Sequence, residues 1–173
     1  GLQPTYQPAR DKKSEILFCK NATKDFGIDV VPFGAISKEL KGEQLAEMFD
    51  MYNAGALAFS DNMRPVHNSG LFSRALLYAK NFNGLIISFP YEEKISPNGL
   101  VNEGVVSTKL GLEGIPDLSE ELMVNRDLLI NRYHEGRLHF NILSSKKSLE
   151  QIEVAKKTQN NLSCGTSIFH LLF

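Results

Sequence analysis

Hydrophobic positions along this chain fall into two alternating textures. Short runs rich in β-branched and aromatic residues lie at 28–33, 56–60, 85–89, 138–143 and 162–166. Between them run longer amphipathic stretches. Residues 43–53 carry Leu45, Met48, Phe49 and Tyr52 at helical spacing, and 71–81 carry Leu71, Ala75, Leu76 and Tyr78. Residues 119–133 carry Leu122, Met123, Leu129, Ile130 and Tyr133. Residues 148–158 carry Leu149, Ile152 and Ala155, with lysines toward the end, where the helix dipole favours cations. This is a β-α-β-α alternation whose strands read as unbroken apolar runs, the texture of parallel strands covered on both faces. A doubly wound sheet or a (β/α)8 barrel fits it.

Composition narrows the function classes. The 173 residues are 42% apolar and 23% charged, which predicts one soluble globular domain, two at the limit. The 19 basic and 20 acidic residues leave a net charge of −1, so nothing electrostatic argues for nucleic acid or an anionic membrane. No apolar run is long enough to span a bilayer and there is no signal-peptide pattern, so the expected location is cytoplasmic. The chain opens at Gly1 without a methionine, which gives the expectation that an upstream segment has been removed. Cys19 and Cys164 form no disulfide framework or zinc-ribbon spacing and read as reduced, buried thiols. Sequons at Asn21 and Asn161 read as chance. No G-x-G-x-x-G turn follows a strand, and the glycines of 109–114 lack phosphate-loop order.

One segment breaks the short-loop rule. Roughly thirty residues with little helix or strand pattern separate the strand ending near Phe89 from the helix starting near Ser119. In a barrel, such a strand-to-helix loop lies on the active-site face. It reads Asn102-Glu103-Gly104-Val105-Val106-Ser107-Thr108-Lys109-Leu110-Gly111-Leu112-Glu113-Gly114-Ile115-Pro116, with Glu120-Glu121 and Arg126-Asp127-Leu128 after it. This resembles the loop after the fifth strand of dihydroorotases of the multifunctional-complex type, in the amidohydrolase superfamily. Gly55-Ala56-Leu57-Ala58-Phe59-Ser60-Asp61-Asn62 is similar to the fourth strand, where the family has Phe-Ser-Asp-Asp. Residues 85–92 are similar to the fifth strand, with its His followed by Cys-Glu, and 137–145 to the sixth, with Leu-His-x-x-His-Val-Ser.

The resemblance implies part of a (β/α)8 barrel, about five of its eight units, near strands 3 to 7. It implies pyrimidine biosynthesis, with dihydroorotate as substrate and one or two zinc ions activating water against an amide carbonyl. The family's metal ligands fall on Asn62, Phe89 and Ile142, and the register is supported by spacings of 27 and 53 residues between them. Phe89 and Ile142 have no donor atom, and Asn62 offers a neutral oxygen in place of a bridging carboxylate. Asp61, one position away, is expected to point to the opposite side. The family's substrate-binding Asn falls on Gly1. The first two strands and the last are expected to lie outside the chain, which reads as a single fragment over 1–173.

The other candidates have blander readings. His139 keeps the first His of the sixth-strand motif but should be a packed or hydrogen-bonded residue. His67, His134 and His170 share no metal-site spacing, His134 lying near a helix end. Glu92-Glu93 and Glu120-Glu121 read as solvated pairs, and Lys12-Lys13, Lys146-Lys147 and Lys156-Lys157 as solvated helix ends or faces.

The first functional expectation is a catalytically degenerate dihydroorotase-like protein that binds no cofactor through this chain. Its role would be structural or regulatory, as a homodimer or with aspartate transcarbamoylase, through a contact loop containing Asn102, Glu103, Gly104, Gly114 and Pro116. A second reading stays open: an active cyclic-amide hydrolase using metal ligands outside this chain. A third is a small-molecule module lined by Phe89 and Ile142, against which these residues simply fill the core.

Overall fold

A computed structural model describes residues 3–4, 8–25 and 27–172. In chain order its main elements are α1 (Lys13–Ala22), α2 (Met48–Asn53), β1 (Ala58–Phe59), α3 (Ser69–Lys80), β2 (Leu85–Ser88), β3 (Val101–Asn102), α4 (Val105–Leu110), β4 (Gly114–Ile115), α5 (Leu118–His134), β5 (Arg137–Phe140), α6 (Lys146–Lys156), β6 (Leu162–Cys164) and α7 (Phe169–Leu172). The four strands β1-β2-β5-β6 form one sheet in that order, all parallel. Consecutive parallel strands joined by helices give the α/β barrel-type winding expected from the alternation.

One row of residues runs straight across this sheet. Phe59 pairs with Ile86, Ile86 with Leu138 and Leu138 with Leu162, and all four are buried. Leu71, Phe72, Ala75 and Leu76 of α3, Val124 and Leu128 of α5 and Ile152 of α6 pack against this row in one cluster. The opposite face is less covered. There Ile87, His139 and Ser163 line up, with His139 half-buried and Ser163 exposed. Two-sided apolar texture therefore describes β1 and β2, while β5 and β6 alternate.

Several expectations need correction. The run at 28–33 forms no continuous strand: Ile28 is exposed, and in place of a ladder Gly34 makes one parallel bridge to Phe59. Pro32 lacks the N–H that a ladder needs. The helix predicted over 43–53 starts only at Met48. Ahead of it the chain is extended, with Ala46 N–H donating to the Ile36 carbonyl (2.9 Å) and Lys38 N–H to the Gln44 carbonyl (2.8 Å). α1 lay outside the predicted elements, although Ile16 and Cys19, three apart, are the residues it buries. The long loop carries the short parallel pair β3–β4 and α4. Cys164 is half-buried rather than buried; both cysteines are free.

Asp61 ties the end of β1 to the chain beside it. It is buried, and Oδ1 accepts from the Ile36 and Ser37 amides at 2.9 and 3.0 Å. Oδ2 accepts a very short hydrogen bond from the Ser37 hydroxyl. Asp61→Ala would leave these buried donors without an acceptor, and we expect it to cost about 3 kcal/mol in urea unfolding.

Burial raises the Asp61 carboxyl above its ordinary value, against the opposing pull of the Ser37 and Ile36 donors and Arg64. Between the ordinary carboxylate value and that raised one, the folded chain holds a proton the unfolded chain has released. Stability from this group is thus present at low pH and declines as pH rises through that window. Unfolding curves collected from about pH 3.5 upward should show a shallower decline for Asp61→Asn than for the parent chain; equal slopes would refute this assignment.

Candidate functional site

The C-terminal ends of the parallel strands converge on a cleft of about 210 Å³. Phe89, one residue past β2, and Ile142, two past β5, both line it. Asn102 and Pro116 of the long loop line it too, with Met63, Tyr91, Ser119, Glu120, Ser144 and His170. The fold thus brings together two of the three expected ligand positions and two of the five loop residues. Asn62 lies next to the lining residue Met63 but is not itself a lining residue, and its amide donates to the Ser60 hydroxyl (3.0 Å).

The strand ends turn sharply here. Asn62 and Ile142 both have left-handed backbone, at φ 61° and 59°. Asparagine tolerates that conformation; a β-branched residue does not. Face alternation therefore stops at Phe140 and does not govern where Ile142 points.

Glu103, Gly104 and Gly114 serve the loop's own structure. Glu103 N–H donates to the Ile115 carbonyl (2.9 Å), and Gly104 N–H to the Ser107 hydroxyl (2.9 Å). A Cβ at Gly114 would lie 2.7 Å from the Glu103 Cα, so the close approach of β3 to β4 requires glycine there.

Of the two acidic pairs read as solvated, Glu93 is exposed as expected and Glu92 is half-buried, but Glu120–Glu121 is not solvated. Glu120 is buried and accepts from the Ser144 amide (2.8 Å), the Ser144 hydroxyl (2.9 Å) and the Ser145 amide (3.1 Å). It thereby anchors the entry to α6, where Ser145 supplies no side-chain cap. Glu121 lies 3.7 Å from Lys147 with its side chain only 15% exposed. His67 sits 3.4 Å from Glu92 and 3.7 Å from Glu93.

Asp127 is completely buried. It accepts from the Ser88 hydroxyl (2.6 Å) and from Arg126 (2.6 and 2.9 Å), while Arg126 also reaches the His67 carbonyl (3.1 Å). Burial raises its carboxyl above the usual value, opposed by Arg126 and Ser88.

The remaining histidines are placed as follows. His139 shares a hydrogen bond with Ser163 (2.8 Å), and burial, then Lys156, holds it below the ordinary imidazole value. His134 closes α5 and meets the Ser73 hydroxyl at 2.6 Å. His170 reaches the cleft from α7, its Nδ1 3.3 Å from the Leu143 carbonyl.

The dihydro-orotase-like family model matches residues 2–148. This chain belongs to the dihydro-orotase-like family. The dihydroorotase of Acetivibrio thermocellus is 39% identical over 167 residues, covering 96% of this chain and 39% of that protein. That of Pelotomaculum thermopropionicum is 43% identical over 156 residues, 90% of this chain and 36% of that protein. The chain spans a little over a third of the length of these relatives. In fold it is similar to the L-hydantoinase (dihydropyrimidinase) of Arthrobacter aurescens, with a TM-score of 0.69 at 17% identity, over 93% of this chain and 37% of that one. The dihydro-orotase-like chain is thus α/β, with the winding of part of a TIM-type barrel.

Metal dependence is general in this family. The positions the motifs align with its ligands do not fit a zinc pair by donor chemistry. An aromatic ring and an alkyl chain cannot coordinate, and a neutral amide is a poor bridge between two cations. The acid that does line the floor, Glu120, has both oxygens committed to Ser144 and Ser145.

Left-handed backbone at a β-branched residue costs roughly 1–2 kcal/mol. Ile142→Asn should therefore keep or raise the midpoint of denaturant unfolding although it removes a half-buried apolar side chain. A clear loss of stability would show that Ile142 packing outweighs its backbone strain.

Proposed function

We propose that this chain is part of a dihydroorotase-like barrel of pyrimidine biosynthesis that has lost its metal pair and acts structurally or in regulation. In this reading the chain is one fragment of the barrel domain, with the first two strands and the last supplied from outside it, and the protein is cytoplasmic. Supporting it most directly is the meeting of Phe89 and Ile142 at the strand ends, where related enzymes place imidazoles. An open parallel sheet with two edges and a half-covered face favours association, with the missing strands, a second copy or another protein. In this proposal aspartate transcarbamoylase is the partner. The long loop is the contact surface: α4 turns Val105, Val106 and Leu110 outward, all more than 60% exposed.

A second reading is an active hydrolase of dihydroorotate. It is favoured by identities of 39% and 43% to proteins named dihydroorotase, and it requires metal ligands outside this chain.

Zinc content and dihydroorotate turnover, measured together on the full-length protein, separate the two. We expect neither stoichiometric zinc nor turnover. Zinc with turnover would replace the first reading by the second. The combined substitution Asn62→Asp, Phe89→His and Ile142→His should raise zinc affinity by restoring a donor set, whether or not activity returns.

A further inference from the structure

We propose that the outer groove between α5 and α6 binds a single-chain anionic amphiphile, an alkyl chain with a carboxylate head. This goes beyond the reading of the strand-end cleft and does not depend on it, since both walls of the groove belong to this chain.

The sequence lays out two facing stripes. On α5, Asn125, Leu129 and Arg132 fall at i, i+4 and i+7, which places them on one side of a helix. Gln151, Ala155 and Thr158 have the same spacing along α6 and just past its end. Together these stripes line a groove of about 630 Å³. Leu129 and Val154 line it from opposite helices and are 50% and 64% exposed. Packing onto the sheet does not account for that exposed pair, because α6 buries only Ser148 and Ile152.

Size selects the class of occupant. The volume falls within the ~300–1,000 Å³ of small-molecule sites. A stable protein partner would need roughly 800 Å² on this side of the contact. The apolar lining is Leu128, Leu129, Val154 and Ala155, beside the charged Arg132, Lys147 and Glu150. That is room for one alkyl chain, with charge close to it.

Charge selects the head group. Lys147 lies 3.7 Å from Glu121, and Glu150 lies 3.8 Å from Lys146. Among the described residues no carboxylate pairs with Arg132. Arg132, Thr158 and Gln159 also line an adjoining polar recess of about 590 Å³. Lys80 and Glu135 of that recess stand 3.4 Å apart, so Arg132 carries the unbalanced charge of both spaces. A carboxylate there accepts from the guanidinium while its chain covers Leu129 and Val154. An ammonium head would meet a like charge.

Octanoate and octylamine share a chain length and differ in charge. Each would be titrated at neutral pH, below its micelle concentration, into the full-length protein with leucine and valine methyl groups labelled for NMR. We expect octanoate to saturate and to shift the Leu129 and Val154 methyl resonances, and octylamine to bind about fivefold more weakly. Hexanoate should bind about fourfold more weakly than octanoate, since an open groove half-buries the two extra methylenes. Arg132→Gln should bring octanoate and octylamine within about twofold of each other. Val154→Glu, at an exposed position, should weaken octanoate about fivefold or more. Unmoved Leu129 and Val154 resonances, octylamine binding as tightly as octanoate, full octanoate affinity in Val154→Glu, or an unchanged octanoate preference in Arg132→Gln would overturn the proposal. So would shifts of these methyls by an acidic amphipathic peptide and not by octanoate, which would make the groove a helix-docking face.

Discussion

Three buried carboxylates hold the ends of three successive strands, and the cleft depends on them. Asp61 binds the chain after β1 to the amides of Ile36 and Ser37. Asp127 of α5 binds Ser88, the last residue of β2. Glu120 of the same helix binds Ser144 and Ser145 beyond β5. Each replaces water around donors that a strand end leaves unpaired, so each removes a desolvation penalty as it fixes a turn. A parallel sheet needs such devices at this edge because its connections leave through it, away from the ladder that orders the strands.

These ties also explain how a cleft could keep its shape while its chemistry changes. A metal pair joins strands by ligation at the rim. The carboxylate ties use other residues, so Phe89 and Ile142 need not hold the strands together. Ile142 has left-handed backbone although isoleucine is poorly suited to it. That strain persists where the surroundings fix the turn, and Glu120, through Ser144, fixes the chain just after it.

Much of this architecture was legible in the sequence, and the failures have physical causes. The strands at 85–89 and 138–143 and the helices at 71–81 and 119–133 are long, strongly patterned and buried on one face, and they stand close to where the pattern put them. The run at 28–33 is equally apolar but contains Pro32, whose missing N–H interrupts a ladder in a way that apolar pattern alone does not register. Glu120 could not be read as buried from sequence, because its donors come from residues 24 and 25 positions away. Adjacent acids look alike on a solvated helix and at a strand-end tie; the first turn of a helix that faces a serine pair is the distinguishing feature, and only tertiary structure supplies it.

The site was legible for a different reason. Phe89, Ile142, Asn102 and Pro116 were singled out by motif register, a one-dimensional quantity, yet they share one cleft of about 210 Å³. Register predicts convergence because strand ends in a parallel winding are brought to one edge whatever side chains they bear. It did not predict Ser119, a buried lining residue that follows no motif. Nor did it predict His170, whose place depends on the short α7 folding back beside Leu143. Motif register identifies the positions that must meet; what they bind is set by charge and hydrogen bonding among neighbours that the motif leaves unspecified.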